Sequence, residues 1–325
     1  MQSSSSSGFV QNTLVNNLRA ISISSAITPV CSHGFQGTVQ GVYRRVLNIL
    51  VDDSIITLAG MGIGEIPNGL LLETHLDHKM NQLGVQSGML VECDGRRLAI
   101  NPANLRVDIS RAIVFPARRT IDGPILSRNE ISEKLIEAIT YGKLLASAEG
   151  LAPLWSHTDE ILENSIDLAG FKSPIVRAAV PPILSLLSAI RESNTRLVTE
   201  SVRSLTGLGI GLTPSGDDVL TGLLAAIVLV SNALGNQNEN QGIIESFVSS
   251  AKGRSNTLSF TYLRHASKGE LTNTLSGYIS ALVSRVDHSV EEATRRLFSY
   301  GATSGSELAL GAYIGVAQLM FLRDE

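Results

Sequence analysis

The stretch GLGIGLTPSGDDVLTG, Gly207 to Gly222, decides how the second half of the chain is read. Three glycines alternate with apolar residues, Thr213-Pro214-Ser215-Gly216 follows, and two aspartates open a long apolar run. Pro214 has a fixed φ and no N–H, which suits a first helical turn, and Thr213 before it has the side chain of an N-cap. The spacing predicts a glycine-rich loop entering a buried helix at Pro214. A helix N-terminus leaves N–H groups unpaired and carries partial positive charge. The loop is therefore a candidate anion site built on Gly209, Gly211, Thr213, Ser215 and Gly216. Asp217 and Asp218, the candidate catalytic residues, repel an anion unless something intervenes; they suit Mg²⁺, an arginine or a substrate NH₂ group. A purely structural alternative stands beside this, because aspartates in a first turn complement the helix dipole and glycines allow close packing. The spacing is neither a P-loop nor a dinucleotide fingerprint.

Outward from this motif, the chain after residue 122 reads as helices. Ser127 and Glu130 have capping-box spacing, and Ile131, Leu135, Ile136, Ile139 and Leu144 form one helical stripe. Helical patterns follow over Asp159 to Ala169, Ile175 to Arg191, Thr195 to Leu205, Ile243 to Ala251, Leu271 to Val283, Ser289 to Phe298 and Glu307 to Phe321, with Gly235 to Asn238 as a polar loop. Before the boundary, from His33 to Arg119, short apolar runs alternate with turns: Leu47 to Val51, Ser54 to Gly60, and a hairpin of Met89 to Cys93 with Arg96 to Ile100 across a type I′ Asp94-Gly95 turn. The expectation is an α+β chain: a flexible tail over 1–20, a β-rich barrel or sandwich over 21–122, and an all-helical domain over 123–325.

Two later stretches, NTLSFTYLRHASKG from Asn256 and YGATSGSELALGAYIG from Tyr300, join the glycine motif in one pattern. Together the three resemble the AllH-like family, which includes a subunit of the oxamate carbamoyltransferase of allantoin catabolism. Ala302 departs from the histidine found in many relatives. The resemblance is specific over Thr206 to Gly315 and looser from His33 to Arg119. It implies carbamoyl transfer between carbamoyl phosphate and oxamate by a complex of different subunits, so the partners expected are those other subunits, carbamoyl phosphate and a small carboxylate. On this reading Asn256, Thr257 and Arg264, with Ser304 and Gly305, join the glycine loop as substrate or anion contacts. Arg254 or Arg264 would neutralise developing charge. The alternative is a non-catalytic scaffold or metabolite-sensing subunit of such a complex.

Composition narrows the remaining classes. With 325 residues, 43% of them apolar, the chain can build substantial cores. A net charge of −4 and 5% aromatics give neither the basic footprint nor the stacking surface of a nucleic-acid binder. Two cysteines without metal-type spacing, and an N-terminus without an apolar targeting core, fit a reducing, cytoplasmic setting. The uncharged run Val219 to Asn238 reads as a buried core helix rather than a membrane span.

Other clusters carry less. Glu73, His75, Asp77 and His78 are close in sequence without a metal-ligand spacing, and read as a solvated segment, so no metal ligand is assigned. Cys31 and His33, two apart, would share one side of an extended strand, a thin basis for a dyad. Trp155, after Pro153, reads as the anchor of a helix connection.

Overall fold

The computed structural model describes residues 16–74 and 80–321. Nine strands come first: β1 (Asn16–Ser24), β2 (Phe35–Val42), β3 (Val46–Val51), β4 (Ser54–Ala59), β5 (Gly69–Leu72), β6 (Leu90–Cys93), β7 (Arg97–Asn101), β8 (Leu105–Asp108) and β9 (Ile113–Phe115). They pair in the order β5-β4-β3-β2-β6-β7-β8-β1, and β1 then pairs with β5, which closes an eight-stranded barrel. β9 extends the β8 side of β1, taking over at Ser22 where β8 ends. A barrel therefore replaces the barrel-or-sandwich choice, and closure leaves its eight strands without the free edges an open sheet would have.

Side-chain alternation fills this barrel. In β3, Leu47, Ile49 and Val51 point into its core, while Asn48 is buried on the opposite face. β4 is buried on both faces, because a helix of the second half lies across it: Ile56 and Leu58 enter the barrel core, and the amide of Ile55 donates to Thr261 Oγ1 at 3.3 Å. That double burial explains the unbroken apolar run of Ser54 to Gly60.

Three local expectations are corrected. β1 starts at Asn16, inside the stretch read as a tail; its Leu18 and Ala20 alternate among polar neighbours, and its pairing partners on both sides hold it. Thr28–His33 is a helix, α1, entered through Pro29, so Cys31 and His33 do not share a strand face. Cys31 is buried, whereas His33 bonds back to the Pro29 carbonyl at 2.7 Å. The β6–β7 hairpin forms with Cys93 opposite Leu98, but Gly95 alone has positive φ (91°), at the first central position of the turn. That pattern belongs to type II′ rather than I′. Asp94 sits outside the central pair, its carboxylate accepting the amides of Arg96 and Arg97.

From Pro116 to Leu126 the chain runs as an extended strap along the helices, with the Arg119 amide on the Gly269 carbonyl (2.8 Å) and the Leu126 amide on Val283 (2.9 Å). Ten helices follow: α2 (Arg128–Leu145), α3 (Thr158–Leu162), α4 (Pro174–Arg191), α5 (Thr195–Leu205), α6 (Ser215–Leu234), α7 (Gln237–Ala251), α8 (Thr257–Ala266), α9 (Asn273–Val283), α10 (Val290–Phe298) and α11 (Ser304–Phe321). The Ser127–Glu130 capping box is present at the start of α2. α3 is shorter than expected because Asn164 takes a positive φ of 56° soon after it. α7 begins at Gln237, since Gly235, in the left-handed conformation, ends α6 within a two-residue connection.

α6 and α11 form the axis of the bundle. A Cβ built on Gly222 would lie 2.0 Å from the Leu308 carbonyl, and one on Gly311 would lie 2.0 Å from that of Val219. Only glycine lets the two backbones approach this closely at both points. α4 and α6 are each long and apolar enough to cross a bilayer, but α6 spends that length on the core: every residue from Ser215 to Ser231 is buried. Trp155 anchors the turn after α2, donating from Nε1 to the Ser306 carbonyl (3.0 Å) and packing on Phe298 and Tyr313.

Candidate functional site

The glycine loop links α5 to α6, and its glycines hold φ values that other residues resist: 77° at Gly207, 117° at Gly209 and 110° at Gly211. α6 starts at Ser215, one residue later than expected, because Pro214 is extended (ψ 144°). Thr213 does not cap it. Its hydroxyl donates to Asp218 Oδ2 (2.9 Å) and shares a 2.9 Å hydrogen bond with Ser304 Oγ at the start of α11. The first amides of α6 are used internally: Gly216 donates to the Leu208 carbonyl (2.8 Å), and Asp217 and Asp218 to that of Pro214 (2.9 and 3.1 Å). The amides of Gly209 and Gly211 make no hydrogen bond to a described residue.

Asp217 ties the loop down. Its Oδ1 accepts the Gly207 amide at 2.9 Å, and its Oδ2 accepts a hydrogen bond from Ser255 Oγ. Burial pushes its carboxyl above the usual carboxylate range, while Ser255 and the Gly207 amide pull the other way. Asp218 is 5% exposed, and burial, with the negative charge of Glu307 adding to it, drives its carboxyl well above that range against the hydrogen bonds from Ser304 and Thr213. Glu307, on α11, is fully buried; its Oε1 accepts the Leu151 amide (2.8 Å), and its Oε2 has no partner among the described residues. Among the described residues no three His, Cys, Asp or Glu side chains converge as a metal site. His75, Asp77 and His78 lie outside the described residues.

The other sequence candidates divide. Asn256 caps α8, accepting the Ser259 amide, and pins the loop by donating from Nδ2 to the Leu212 carbonyl (2.9 Å). Thr257 follows it as the first residue of α8, its carbonyl taken by Thr261. Gly305 and Gly216 sit where backbones meet, with built Cβ atoms 2.0 and 2.1 Å from the carbonyls of Leu297 and Leu205. Ser215 is buried beside Gly150, its Oγ 2.7 Å from where a Cβ there would stand. Arg264 is not brought to the loop: it bonds Ser54 and Asp53 on the β3–β4 turn. Arg254 is exposed, and only its carbonyl faces the loop, beneath Gly207.

Between barrel and bundle lies a cleft of about 650 Å³. Tyr43, Arg44 and Arg45 of the β2–β3 turn, Asn48 of β3, and Gly62, Ile63 and Ile66 of the β4–β5 loop form one wall. Leu212, Thr213, Tyr262, Arg296, Tyr300 and Ser304 form the other. A bulge in β2 at Gly41 lets Tyr43 fold against the strand, its hydroxyl 2.5 Å from where a Gly41 Cβ would stand. Among the described residues three arginines line this cleft and no carboxylate does. Arg296 pairs outward with Glu292 (2.6 Å), while Arg44 and Arg45 form no ion pair with a described residue. Tyr262 and Tyr300, their hydroxyls 3.3 Å apart, are kept protonated by burial. Behind them a chamber of about 40 Å³ reaches Asp218 and Glu270.

Sequence reasoning missed Arg44, Arg45, Arg296, the tyrosine pair and Glu307. Arg-Arg pairs occur at 44–45, 96–97, 118–119 and 295–296, and nothing in their neighbours marks which face a cavity. No solved structure matches the chain. Residues 205–316 match the family model described as oxamate carbamoyltransferase subunit AllH, and residues 19–114 match that of the AllH family N-terminal domain. With the barrel matched by one and the glycine loop, α6 and the start of α11 by the other, the chain belongs to the AllH family.

Proposed function

We propose that the chain acts as a subunit of an oxamate carbamoyltransferase and that the cleft between barrel and bundle receives its anionic substrates. The observation that carries this reading is the lining: Arg44, Arg45 and Arg296, without an opposing carboxylate among the described residues, around a cavity that opens on Thr213 and Ser304. Carbamoyl phosphate and oxamate are both anions, and guanidinium groups match phosphate and carboxylate oxygens in bidentate fashion. In the transfer, the oxamate amide nitrogen attacks the carbamoyl carbon, negative charge develops on the carbonyl oxygen, and phosphate leaves with the electrons of the broken bond. The unpaired amides of Gly209 and Gly211, on the loop that leads to Leu212 and Thr213 of the cleft wall, are suited to hold an anionic oxygen. The departing phosphate takes the proton lost from the amide nitrogen, and the Thr213 and Ser304 hydroxyls, linked to the buried Asp218, are placed to orient the reacting groups. Asp217, held by Gly207 and Ser255, keeps the loop in shape. Ile210, 87% exposed on the same loop, is the contact offered to another subunit, so the cleft is completed in the assembly.

A second reading, a metabolite-sensing or scaffold subunit, draws on the internal use of the first α6 amides and on the close backbone contacts at Gly216 and Gly305. Thermal unfolding of the chain alone with carbamoyl phosphate, phosphate or oxamate tests the cleft. Stabilisation in the wild type that disappears in Arg45→Gln supports it, and equal shifts in both proteins remove the cleft from the reading. Ligand stabilisation without turnover in the assembled enzyme would favour the sensing subunit.

A further inference from the structure

A second cavity, of about 310 Å³, lies where the strap 116–126 crosses α9 and α10. Arg118, Arg119, Asn273, Thr274, His288 and Arg296 are among its polar lining, and among the described residues Asp122 is the one carboxylate that lines it. Arg118 donates from Nε to the Lys268 carbonyl (3.1 Å) and forms no ion pair with a described residue. Arg119 is held in place by the Leu271 carbonyl (3.4 Å) and by the ring of Phe115, 5.8 Å away. Its terminal nitrogen meets Glu65 Oε2 at 2.9 Å, and Asn273 Nδ2 donates to the same oxygen at 3.3 Å. Asn273 and Thr274 open α9, so the positive end of that helix points the same way.

Glu65 does not belong to the strap or to the bundle. It arrives from the β4–β5 loop, whose Gly62, Ile63 and Ile66 line the cleft described above. A carboxylate from a flanking loop thus sits on an arginine, an amide and a helix N-terminus that together form an anion receptor.

We propose that this cavity is a second anion-binding site, for a small ligand bearing a phosphate or carboxylate, and that Glu65, from beside the cavity, competes for its Arg119 and Asn273 donors when the site is free. The ligand's oxygens take the Arg119 and Asn273 donors, the unpaired end of Arg118 adds a second guanidinium, and Glu65 is released. Thr274 and Arg296 line both cavities, and the loop that carries Glu65 forms a wall of the cleft, so filling this site changes the cleft. Apart from those two shared residues the site has its own lining, and it does not depend on the chemistry proposed for the cleft.

The test is calorimetric titration of the full chain with inorganic phosphate. Two binding events are expected, one lost in Arg45→Gln and the other in Arg118→Gln. Glu65→Gln, which removes the internal competitor and leaves both arginines, should tighten the second event about two- to fivefold, the scale of one partly exposed ion pair. Free phosphate and a larger phosphorylated metabolite are separated by repeating the titration with a phosphate monoester: tighter binding at this site assigns it to the metabolite, equal or weaker binding to phosphate itself. A single event that Arg118→Gln leaves intact, or a Glu65→Gln chain that binds phosphate no more tightly, overturns the proposal while leaving the cleft untouched. A wild-type isotherm that shows only the Arg118-dependent event would instead count against the cleft.

Discussion

Replacing Asp218 by Asn tests the electrostatic account of the buried carboxylate. Burial and the charge of Glu307 hold the folded Asp218 carboxyl well above its ordinary range, whereas in the unfolded chain it titrates near ~3.9. Below that pH both states carry the proton and nothing is lost. Above it the unfolded carboxyl ionises while the folded one stays neutral, so the folded state binds the extra proton. Stability then falls as pH rises, by at most ~1.4 kcal/mol per pH unit, until the folded group also ionises. Asn is neutral at every pH and close to the protonated acid in shape, and the Thr213 and Ser304 hydroxyls can turn to meet its amide. Urea unfolding of wild type and Asp218→Asn from pH 4.5 to 7.5 measures the difference directly. The stability of the variant relative to wild type should climb with pH by up to ~1.4 kcal/mol per unit and then level off. Asp217 remains in both proteins, so its own slope cancels. Parallel stability curves for the two proteins would refute the reasoning.

Other expectations follow from particular contacts. Gly222→Ala drives a methyl into the Leu308 carbonyl, and overpacking of that kind costs about 1–3 kcal/mol; a thermal midpoint equal to wild type would show that α6 and α11 do not meet there. Trp155→Phe leaves the buried Ser306 carbonyl without its donor, a loss of about 1–3 kcal/mol in chemical denaturation. Arg264→Gln should leave phosphate affinity unchanged, because its guanidinium serves the β3–β4 turn; a weakened isotherm would place it at the cleft instead. Ser255→Ala removes one of the two donors fixed on Asp217 and should increase hydrogen exchange across Gly207 to Leu212, with unchanged protection counting against the tether.

Much of the architecture was legible because local chemistry and tertiary packing agree. Asp-Gly and Asp-Asp turns between apolar runs marked the hairpins, the Ser127–Glu130 spacing marked α2, and the uncharged run after Asp218 marked the core helix. β1 was hidden because a strand paired on both sides needs little apolar alternation of its own to be held. α1 was hidden because six residues are too few to show a helical period, although Pro29 suits a helix start. At the candidate site, Thr213, Asp218 and Ser304 are hydrogen-bonded neighbours, with Thr213 and Ser304 91 apart in sequence at their 2.9 Å bond. The arginines were not legible, since closing the barrel is what carries the Tyr43-Arg44-Arg45 turn across to Thr213 and Ser304, and no local pattern encodes that.

The central claim is that the arginine-lined cleft is where this subunit takes substrate. Its most direct test is steady-state carbamoyl transfer from carbamoyl phosphate to oxamate by the assembled enzyme, carrying either wild-type chain or Arg45→Gln, with assembly checked by size-exclusion chromatography. Loss of one charge-assisted contact predicts a fall in kcat/KM of about ten- to a hundredfold with the complex intact. An unchanged kcat/KM in an intact complex would contradict the account and move substrate binding to another site.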